Sequence, residues 1–289
     1  MANRKLWLLV LPILVGLALL IWFYPSNSDF RVENPLWNGA RDFVTEFQAL
    51  PLNSLDNLPT PQETTLIVIP YLKLTSTDSQ KLKDYVISGG RLVVLDDYGF
   101  GNEILEYFGL EARFSGVQFL DPLFNYKNKN FPRIIDFAPS SVTTSIKSIV
   151  FNHATSLENV SQNKVLAWSS PFSFLDENQN GNWDDGEKKG SFPVVAKFEM
   201  GKGDFILIAD PSILISSMVN TEDNRQFLKN IVKGEVWLDQ SHLPEVALDE
   251  AKAKLKVTRN ALTTVGATLG LIVLVLVLTL KPIWYKGGQ

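Results

Sequence analysis

The sequence predicts an α/β protein in which helices flank a mostly parallel sheet, placed between two transmembrane helices. Short uninterrupted apolar runs such as TLIVI and RLVVL are typical of parallel strands that are buried on both faces. Helical segments alternate with these runs, which indicates βαβ units with right-handed crossovers. A long uncharged apolar run near each end of the 289-residue chain predicts the two membrane spans.

The first βαβα unit has the clearest boundaries. Pro70 ends its first strand, and Ser76 or Thr77 caps its first helix. Gly89 and Gly90 end that helix, because glycine readily adopts the backbone conformation of a helix C-terminus. The predicted elements are a strand at 65–69, a helix ending at 88, a strand at 91–95, a loop at 96–102 and a helix at 103–108.

The rest of the domain has a weaker pattern of the same kind. Residues 114–139 are aromatic and polar without a clear period, which predicts an irregular insertion. The other predicted elements are a helix at 40–50, strands at 148–151, 165–168, 192–198 and 204–209, a helix at 224–232 and a charged helix at 245–259.

Composition excludes several classes of function. The formal net charge is -4 and the charges are dispersed, so no electrostatic footprint for nucleic acid is present. The chain has no cysteine, which excludes disulfides, zinc–thiolate sites and a thiol nucleophile.

The two apolar runs cover residues 6–24 and 261–280, and each is close to the roughly 20 residues that a bilayer core requires. A cleavable signal peptide is the competing interpretation of the first run, but WFYP at its end is unlike a cleavage site. The predicted organisation is a transmembrane helix at 1–25, an extracytoplasmic domain at 26–240, a stalk helix at 241–260, a transmembrane helix at 261–281 and a cytoplasmic tail at 282–289.

Charge near the spans predicts their orientation. Arg4, Lys5, Lys281 and Lys286 lie in the short tails, and the positive-inside rule places such tails in the cytoplasm. The expected location is therefore the cell membrane, with two passes and the main domain outside. Asn159 begins the glycosylation sequon Asn-Val-Ser, which is usable outside the cell.

The stretch DENQNGNWDDGE resembles the calcium loop of an EF-hand. Such a loop takes oxygen ligands at positions one, three, five, seven, nine and twelve, with glycine at position six. Gly181 occupies position six, and the flanks resemble strands, so we expect a structural clip rather than a calcium sensor. The alternative is a solvated acidic turn that binds no metal. The predicted Ca²⁺ ligands are Asp176, Asn178, Asn180, Asn182 (through its carbonyl), Asp184 and Glu187.

A second candidate site lies at the predicted carboxyl ends of the strands. Asp96, Asp97 and Asp210 follow such strands, and ligands of open α/β sheets bind at this edge. Gly99, Gly101 and Asn102 start a helix and could present N–H groups to an anion. The alternative is that these aspartates form turns and helix caps.

Three segments of the chain resemble a known family. SDFRVENPLWNGARDF, DDYGFGN and GKGDFILIADPSI are similar to the domain of unknown function 4350. The resemblance implies a flavodoxin-like sheet akin to class I glutamine amidotransferases, in membrane-anchored prokaryotic proteins of which many are archaeal. It implies no activity, and amidotransferase chemistry needs a cysteine that this chain lacks.

The leading hypothesis is a non-catalytic, calcium-stabilised domain that binds a partner protein or small ligand within a membrane assembly. Its expected partners are the lipid bilayer and a membrane or surface protein, and not nucleic acid. One alternative is a metal-assisted hydrolase or transferase that uses Asp96, Asp97 and Asp210. Another is an accessory subunit of a transport system.

Overall fold

A computed structural model describes residues 2–284 of the chain; the side chains of residues 2–12, 262, 267 and 271–284 lie outside that description. The chain divides into two compact units. The larger unit is Ser26–Pro244, and the smaller one contains the described parts of residues 1–25 and 245–289.

The elements in chain order are as follows. The strands are β1 (Leu50–Leu52), β2 (Thr64–Val68), β3 (Arg91–Leu95), β4 (Arg113–Phe114), β5 (Phe119–Leu120), β6 (Arg133–Ile134), β7 (Asp136–Phe137), β8 (Ile149–Val150), β9 (Leu157–Glu158), β10 (Val165–Trp168), β11 (Phe174–Leu175), β12 (Pro193–Met200), β13 (Gly203–Ile208) and β14 (Glu235–Asp239). The α-helices are α1 (Ala2–Phe23), α2 (Arg41–Phe47), α3 (Ser76–Ile87), α4 (Gly101–Phe108), α5 (Asn224–Ile231) and α6 (Ala247–Trp284).

The central sheet of the larger unit has the strand order β1-β14-β2-β3-β13-β12-β10-β7. The first five strands in this order pair in parallel. The last three extend the sheet by antiparallel pairing. Helix α3 packs on β3, β13 and α4. The prediction of an α/β fold with a mostly parallel sheet flanked by helices is therefore confirmed.

Local chemistry explains the first βαβ unit. Every residue of β2 and β3 is buried, as expected for parallel strands covered on both faces. Helix α3 begins one residue earlier than predicted, because Thr75 is its cap rather than Ser76 or Thr77. The hydroxyl of Thr75 accepts from the N–H of Asp78, and the Asp78 carboxylate accepts from the N–H of Thr75. This reciprocal capping box satisfies two donors at once.

Two regions differ from the sequence prediction. Strand β14 lies between β1 and β2, although EVWLD was not predicted as a strand. The predicted irregular insertion at 114–139 contains the two-residue strands β5, β6 and β7 and the second residue of β4, and β7 joins the edge of the central sheet. Both differences come from pairing with segments that are distant in the chain, which local patterns do not encode.

The amino end of β13 holds a buried ion pair. Asp204 accepts from Nε and Nη2 of Arg91, at 2.6 Å and 2.7 Å, and Arg91 Nη1 donates to the carbonyl of Ile231 at 2.7 Å. Lys197 and Lys233 lie 3.2 Å and 3.5 Å from the same carboxylate. Burial raises the pKa of Asp204, but the hydrogen bonds and charge of Arg91 with the two lysines outweigh burial and lower the pKa to about 2.

The smaller unit is formed by α1 and α6. The guanidinium of Arg259 lies 5.3 Å from the ring centre of Trp22. Helix α6 begins at Ala247, within the predicted stalk, and continues through the second predicted span to Trp284.

The membrane predictions need correction. The predicted spans at 6–24 and 261–280 fall partly on residues whose side chains lie outside the description. Within the part of the chain that the structure describes, no helix combines the length and the apolar character needed to cross a bilayer. This finding contradicts the prediction of a two-pass protein of the cell membrane.

Candidate functional site

Asp96 organises the loop that follows β3. Its side chain is 1% exposed. One carboxylate oxygen accepts from the N–H groups of Asp97 and Gly99, at 2.9 Å and 2.7 Å, and the other accepts from Gly101 at 2.6 Å. Burial raises the pKa of Asp96 to about 6, while the three N–H donors act in the opposite direction. Asp96 is therefore the internal acceptor around which this loop folds.

Glycine is required at two positions of the loop because other atoms approach closely. A Cβ at Gly99 would lie 2.6 Å from the carbonyl oxygen of Pro70, and one at Gly101 would lie 2.5 Å from Asp96 Oδ2. The N–H groups of Gly99 and Gly101, which the sequence suggested for an anionic ligand, donate to Asp96. The carboxylate of the chain itself thus occupies the anion position at the start of α4.

Asn102 fastens the same loop to β4. Its Nδ2 donates to the carbonyl of Phe114 at 2.9 Å, and its Oδ1 accepts from the N–H of Phe114 at 2.8 Å. Both polar atoms of the Asn102 side chain are therefore used by the backbone of Phe114 in β4, in the way that a neighbouring strand would use them.

Asp97 lies beside Asp96 and is 7% exposed. Its Oδ1 accepts from the hydroxyl of Tyr71 at 2.8 Å and from the N–H of Tyr98 at 2.6 Å. Burial raises the pKa of Asp97, and the hydrogen bond from Tyr71 partly offsets this rise. Burial and the neighbouring charge of Asp97 raise the pKa of Tyr71 as well.

Asp210 follows β13, the strand next to β3, and is fully buried. Its Oδ1 accepts from the N–H of Ser212 at 2.7 Å and so caps the short 3₁₀ helix Pro211–Leu214. Its Oδ2 accepts from the N–H of Asn152 at 2.8 Å. Burial raises the pKa of Asp210 well above its usual value, and the charge of Asp97 adds to the rise.

The three aspartates thus gather at one edge of the sheet, as the sequence predicted, but they act as caps and turn acceptors. In enzymes that use two carboxylates, the environment drives the two pKa values apart. Here burial raises the pKa of Asp96, Asp97 and Asp210 alike.

A polar cavity of about 690 Å³ opens beside this loop. Tyr98 extends from the loop and forms part of the cavity lining. It is 51% exposed, and its hydroxyl donates to the carbonyl of His153 at 2.6 Å. Asp96, Asp97 and Asp210 are not among the lining residues. The side chains that define the cavity include Tyr98, Gln118, Lys129, Asn130, His153 and Gln179.

The acidic loop at 176–187 forms another part of the cavity wall. Asp176 accepts from the N–H groups of Asn180 and Gly181, at 3.1 Å and 2.9 Å. Glu187 accepts from the N–H groups of Glu177 and Asp184, both at 3.0 Å. The two ends of the loop are thereby held together. Strand β11 precedes the loop and Phe174 bridges to Lys189 after it, so the flanks are extended as predicted.

Amide side chains complete the interior of this loop. Asp184 Oδ2 accepts from Nδ2 of Asn178 at 2.7 Å and from Nδ2 of Asn180 at 2.6 Å. Asn180 Oδ1 accepts from the N–H of Asn182 at 2.7 Å. The carboxylates therefore have protein donors as partners.

Comparison with known proteins assigns the family. The model of the domain of unknown function DUF4350 matches residues 32–232. The chain belongs to the DUF4350 family. No curated protein matches this DUF4350 chain.

Solved structures give distant likenesses to the DUF4350 protein. The mmIFT52 N-terminal domain is 14% identical with a TM-score of 0.45, over 57% of this chain and 74% of that chain. A putative ThuA-like protein from Bacteroides uniformis is 14% identical with a TM-score of 0.36, over 62% and 73%. A beta-galactosidase from Bacillus circulans sp. alkalophilus is 12% identical with a TM-score of 0.33, over 58% of this chain and 22% of that chain. These TM-scores lie below 0.5, so the likenesses carry no functional argument.

The calcium interpretation of the DUF4350 protein needs correction. Among the described residues, no group of three or more His, Cys, Asp or Glu side chains could hold a metal ion. The prediction of a calcium-binding protein therefore lacks support, and the roles of the individual loop residues stay predictions. Asp176, Asp184 and Glu187 accept from N–H and amide donors of the loop itself.

One polar cluster of the DUF4350 protein was missed by sequence reasoning. Asp239, the last residue of β14, lies 2.6 Å from Nδ1 of His242 and also 2.6 Å from the hydroxyl of Ser241. Ser241 approaches the same Nδ1 of His242 at 3.1 Å. A catalytic triad needs serine and aspartate on opposite nitrogens of the imidazole. The cluster therefore fixes the chain after β14. The only sequence pattern that could have indicated it is an acidic residue, Asp239, three positions before a histidine, His242.

Asn159 of the predicted sequon lies in an exposed turn after β9 and has a positive φ of 54°. Glycosylation at this position stays a prediction.

Proposed function

We propose that this DUF4350 protein is a non-catalytic binding domain whose site is the polar cavity beside Tyr98. One observation carries the proposal: the acidic side chains at the carboxyl edge hold the loop together, and the cavity next to that loop is lined by other groups. Ligands of open α/β sheets bind at this edge. A cavity of about 690 Å³ also falls within the usual range for small-molecule sites.

The proposal disfavours acid–base catalysis by the aspartates. A catalytic carboxylate must reach the proton that it transfers, within hydrogen-bond distance or through one water. Asp96, Asp97 and Asp210 are at most 7% exposed, and each accepts from at least two protein donors. A substrate in the cavity would contact Tyr98 and the amide side chains before it met any of them.

The resemblance to class I glutamine amidotransferases supports the flavodoxin-like topology as part of this proposal. Without cysteine the chain has no thiol nucleophile, so such a fold would serve for binding. A protein partner fits the cavity less well than a small molecule, because the site is concave.

One observation favours a second candidate, a hydrolase or transferase. Buried carboxylates with a raised pKa cluster at functional sites, and Asp97 and Asp210 have this property. The two candidates differ in what Asp97→Asn does: it would abolish turnover in an enzyme and would preserve ligand affinity in a binding domain.

Saturation-transfer NMR on the full chain tests the proposal. The probes are a mixed set of sugars, amino acids, nucleosides, carboxylates and inorganic phosphate at millimolar concentration. We expect at least one class to bind the wild type and Asp97→Asn, and to lose its signal with Tyr98→Ala. Tyr107→Ala, which removes another partly exposed tyrosine that bonds Gln80, is the matched control and should bind normally.

Two results would reject the binding domain. One is the absence of any bound probe, and the other is binding that Tyr98→Ala leaves unchanged. Conversion of a bound probe that stops in Asp97→Asn would establish the enzyme instead.

A further inference from the structure

The chemistry of the cavity lining restricts the ligand that it can take. Tyr98 offers a half-exposed aromatic ring, and four amide side chains surround the space with it. Amides supply donors and acceptors together. The amide side chains are Gln118, Asn130, Gln179 and Asn180.

Two of the charged lining groups, Lys129 and Asp176, have hydrogen-bond partners within the protein. The ammonium of Lys129 donates to the carbonyl of Gly181. The carboxylate of Asp176 accepts from two N–H groups of its own loop. Lys129, Asp176 and Glu177 place charges of both signs in the lining, so a ligand with a single charge would meet a group of like charge.

Glu177 is the remaining charged residue of the lining, and it interacts electrostatically with Lys188, which lies outside the lining. The pKa of Lys188 is raised by its hydrogen bond and ion pair with Glu158, and the charge of Glu177 adds to this effect. His153 uses Nδ1 in a contact of 2.7 Å with Oδ1 of Asn152. The other ring nitrogen, Nε2, has no protein partner among the described residues.

The central amide pair is arranged to bind a hydroxyl group. Gln118 Nε2 donates to Asn130 Oδ1 at 3.0 Å. This bond leaves Gln118 Oε1 as an acceptor and Asn130 Nδ2 as a donor, each without another protein partner within the described residues. A hydroxyl donates and accepts at once, so it satisfies both groups where a purely anionic or cationic group would satisfy one.

We propose that this cavity binds a neutral polyhydroxylated molecule, a saccharide or a related polyol, with its apolar ring face against Tyr98. This inference rests on the proposed binding function and names its ligand class. An aromatic ring with one polar end suits the apolar face and the rim hydroxyls of such a ligand. Gln118 and Asn130 would contact adjacent hydroxyls, and Nε2 of His153 would hydrogen-bond to another.

The test uses the full chain and two groups of probes in saturation-transfer NMR. The neutral probes are glucose, galactose, mannose, N-acetylglucosamine, maltose and cellobiose. The charged probes are glucuronate, glucosamine and inorganic phosphate. We expect at least one neutral sugar to bind and the charged probes to bind more weakly.

Asn130→Asp is the decisive variant because it keeps the shape of the side chain and removes the amide donor. We expect it to raise the Kd of the neutral sugar about tenfold, because one hydrogen-bonding group is then left unsatisfied. Tyr98→Ala should remove the signal, and Tyr107→Ala should leave it intact. The near-isosteric change in Asn130→Asp keeps the test valid if Tyr98→Ala fails to fold.

The outcomes separate this inference from the proposed function. If only charged probes bound, or only another class of the wider screen, the assignment of a neutral saccharide would be wrong. The proposal of a binding domain would still stand. Sugar binding that Asn130→Asp does not weaken would also overturn it, because the sugar would then lie elsewhere. If no probe gave a binding signal in either experiment, both proposals would be rejected.

Discussion

The two ends of the parallel strands β3 and β13 bury the same residue type in opposite ways. At the amino end, Asp204 is paired with Arg91 and two lysines, and its pKa falls to about 2. At the carboxyl end, Asp96 has three backbone N–H donors and no cation among its described partners, and its pKa rises to about 6.

The difference shows that charge neutralisation and hydrogen bonding are distinct solutions to burial. A cation offsets the cost of burying a carboxylate by Coulomb attraction, whereas N–H dipoles fix its geometry and leave a larger electrostatic cost. The amino end is therefore stabilised by charge, and the carboxyl end by loop geometry. Four measurements test this difference.

The largest effect is expected from Arg91→Ala. Removal of one partner of a buried ion pair leaves an uncompensated charge, so we expect a loss of about 3–5 kcal/mol in the free energy of unfolding. Chemical denaturation of the full chain measures it. Lys233→Ala is the control, since Lys233 is 56% exposed and should cost less than about 1 kcal/mol. Equal losses in the two variants would show that the buried pair has no special role.

The next effect is the pH dependence of stability. The folded pKa of Asp96, about 6, exceeds its usual 3.8, so its contribution is present in full below pH 3.8 and is lost as pH rises through about 6. A shift of this size corresponds to roughly 3 kcal/mol between pH 4 and pH 7. Asp204 has the opposite sign: its contribution is present above pH 3.8 and is lost as pH falls through about 2.

Denaturation of Asp96→Asn and Asp204→Asn at several pH values between 4 and 7 separates the two ends. The decline of stability with rising pH should become shallower in Asp96→Asn and stay as in the wild type in Asp204→Asn. A wild type whose stability rises over this interval would contradict the assignment.

A smaller effect is expected from Tyr71→Phe, which removes the hydroxyl 2.8 Å from Asp97. The variant should lose about 1–3 kcal/mol, because it leaves a buried carboxylate with one donor fewer. The pKa of Asp97 should rise further, since the lost hydrogen bond lowers it. Denaturation at pH 5 and pH 8 detects both changes; Tyr107→Phe, whose hydroxyl bonds Gln80, should stay close to the wild type.

The smallest effect is expected from calcium. Because the carboxylates of the 176–187 loop already accept from its own donors, the Tm should be the same in millimolar calcium and in chelator. Differential scanning calorimetry checks this. A rise in Tm with calcium that disappears in Asp176→Asn would restore the calcium site.

Particular residues show how far sequence reasoning reached in the site. The apolar runs ending at Leu95 and Ile208 were sufficient to place Asp96, Asp97 and Asp210 at one edge of the sheet, because parallel strands bring their carboxyl ends together. Their use as caps was one of two open alternatives. The cavity could not be predicted from the sequence, because Tyr98, Gln118 and Asn130 come from loops without a periodic pattern.

By itself, the sequence determined the α/β class, the βαβα unit from β2 to α4 and the extended flanks of the acidic loop, because burial and capping patterns act over a few residues. Long-range packing set the insertion of β14, the antiparallel strands at one edge of the sheet and the distant partners of the buried aspartates. Tyr71 reaches Asp97 and Asn152 reaches Asp210 in this way, whereas the donors to Asp96 lie within five residues of it. Ligand spacing in DENQNGNWDDGE therefore could not show that its oxygens would meet donors of the protein itself.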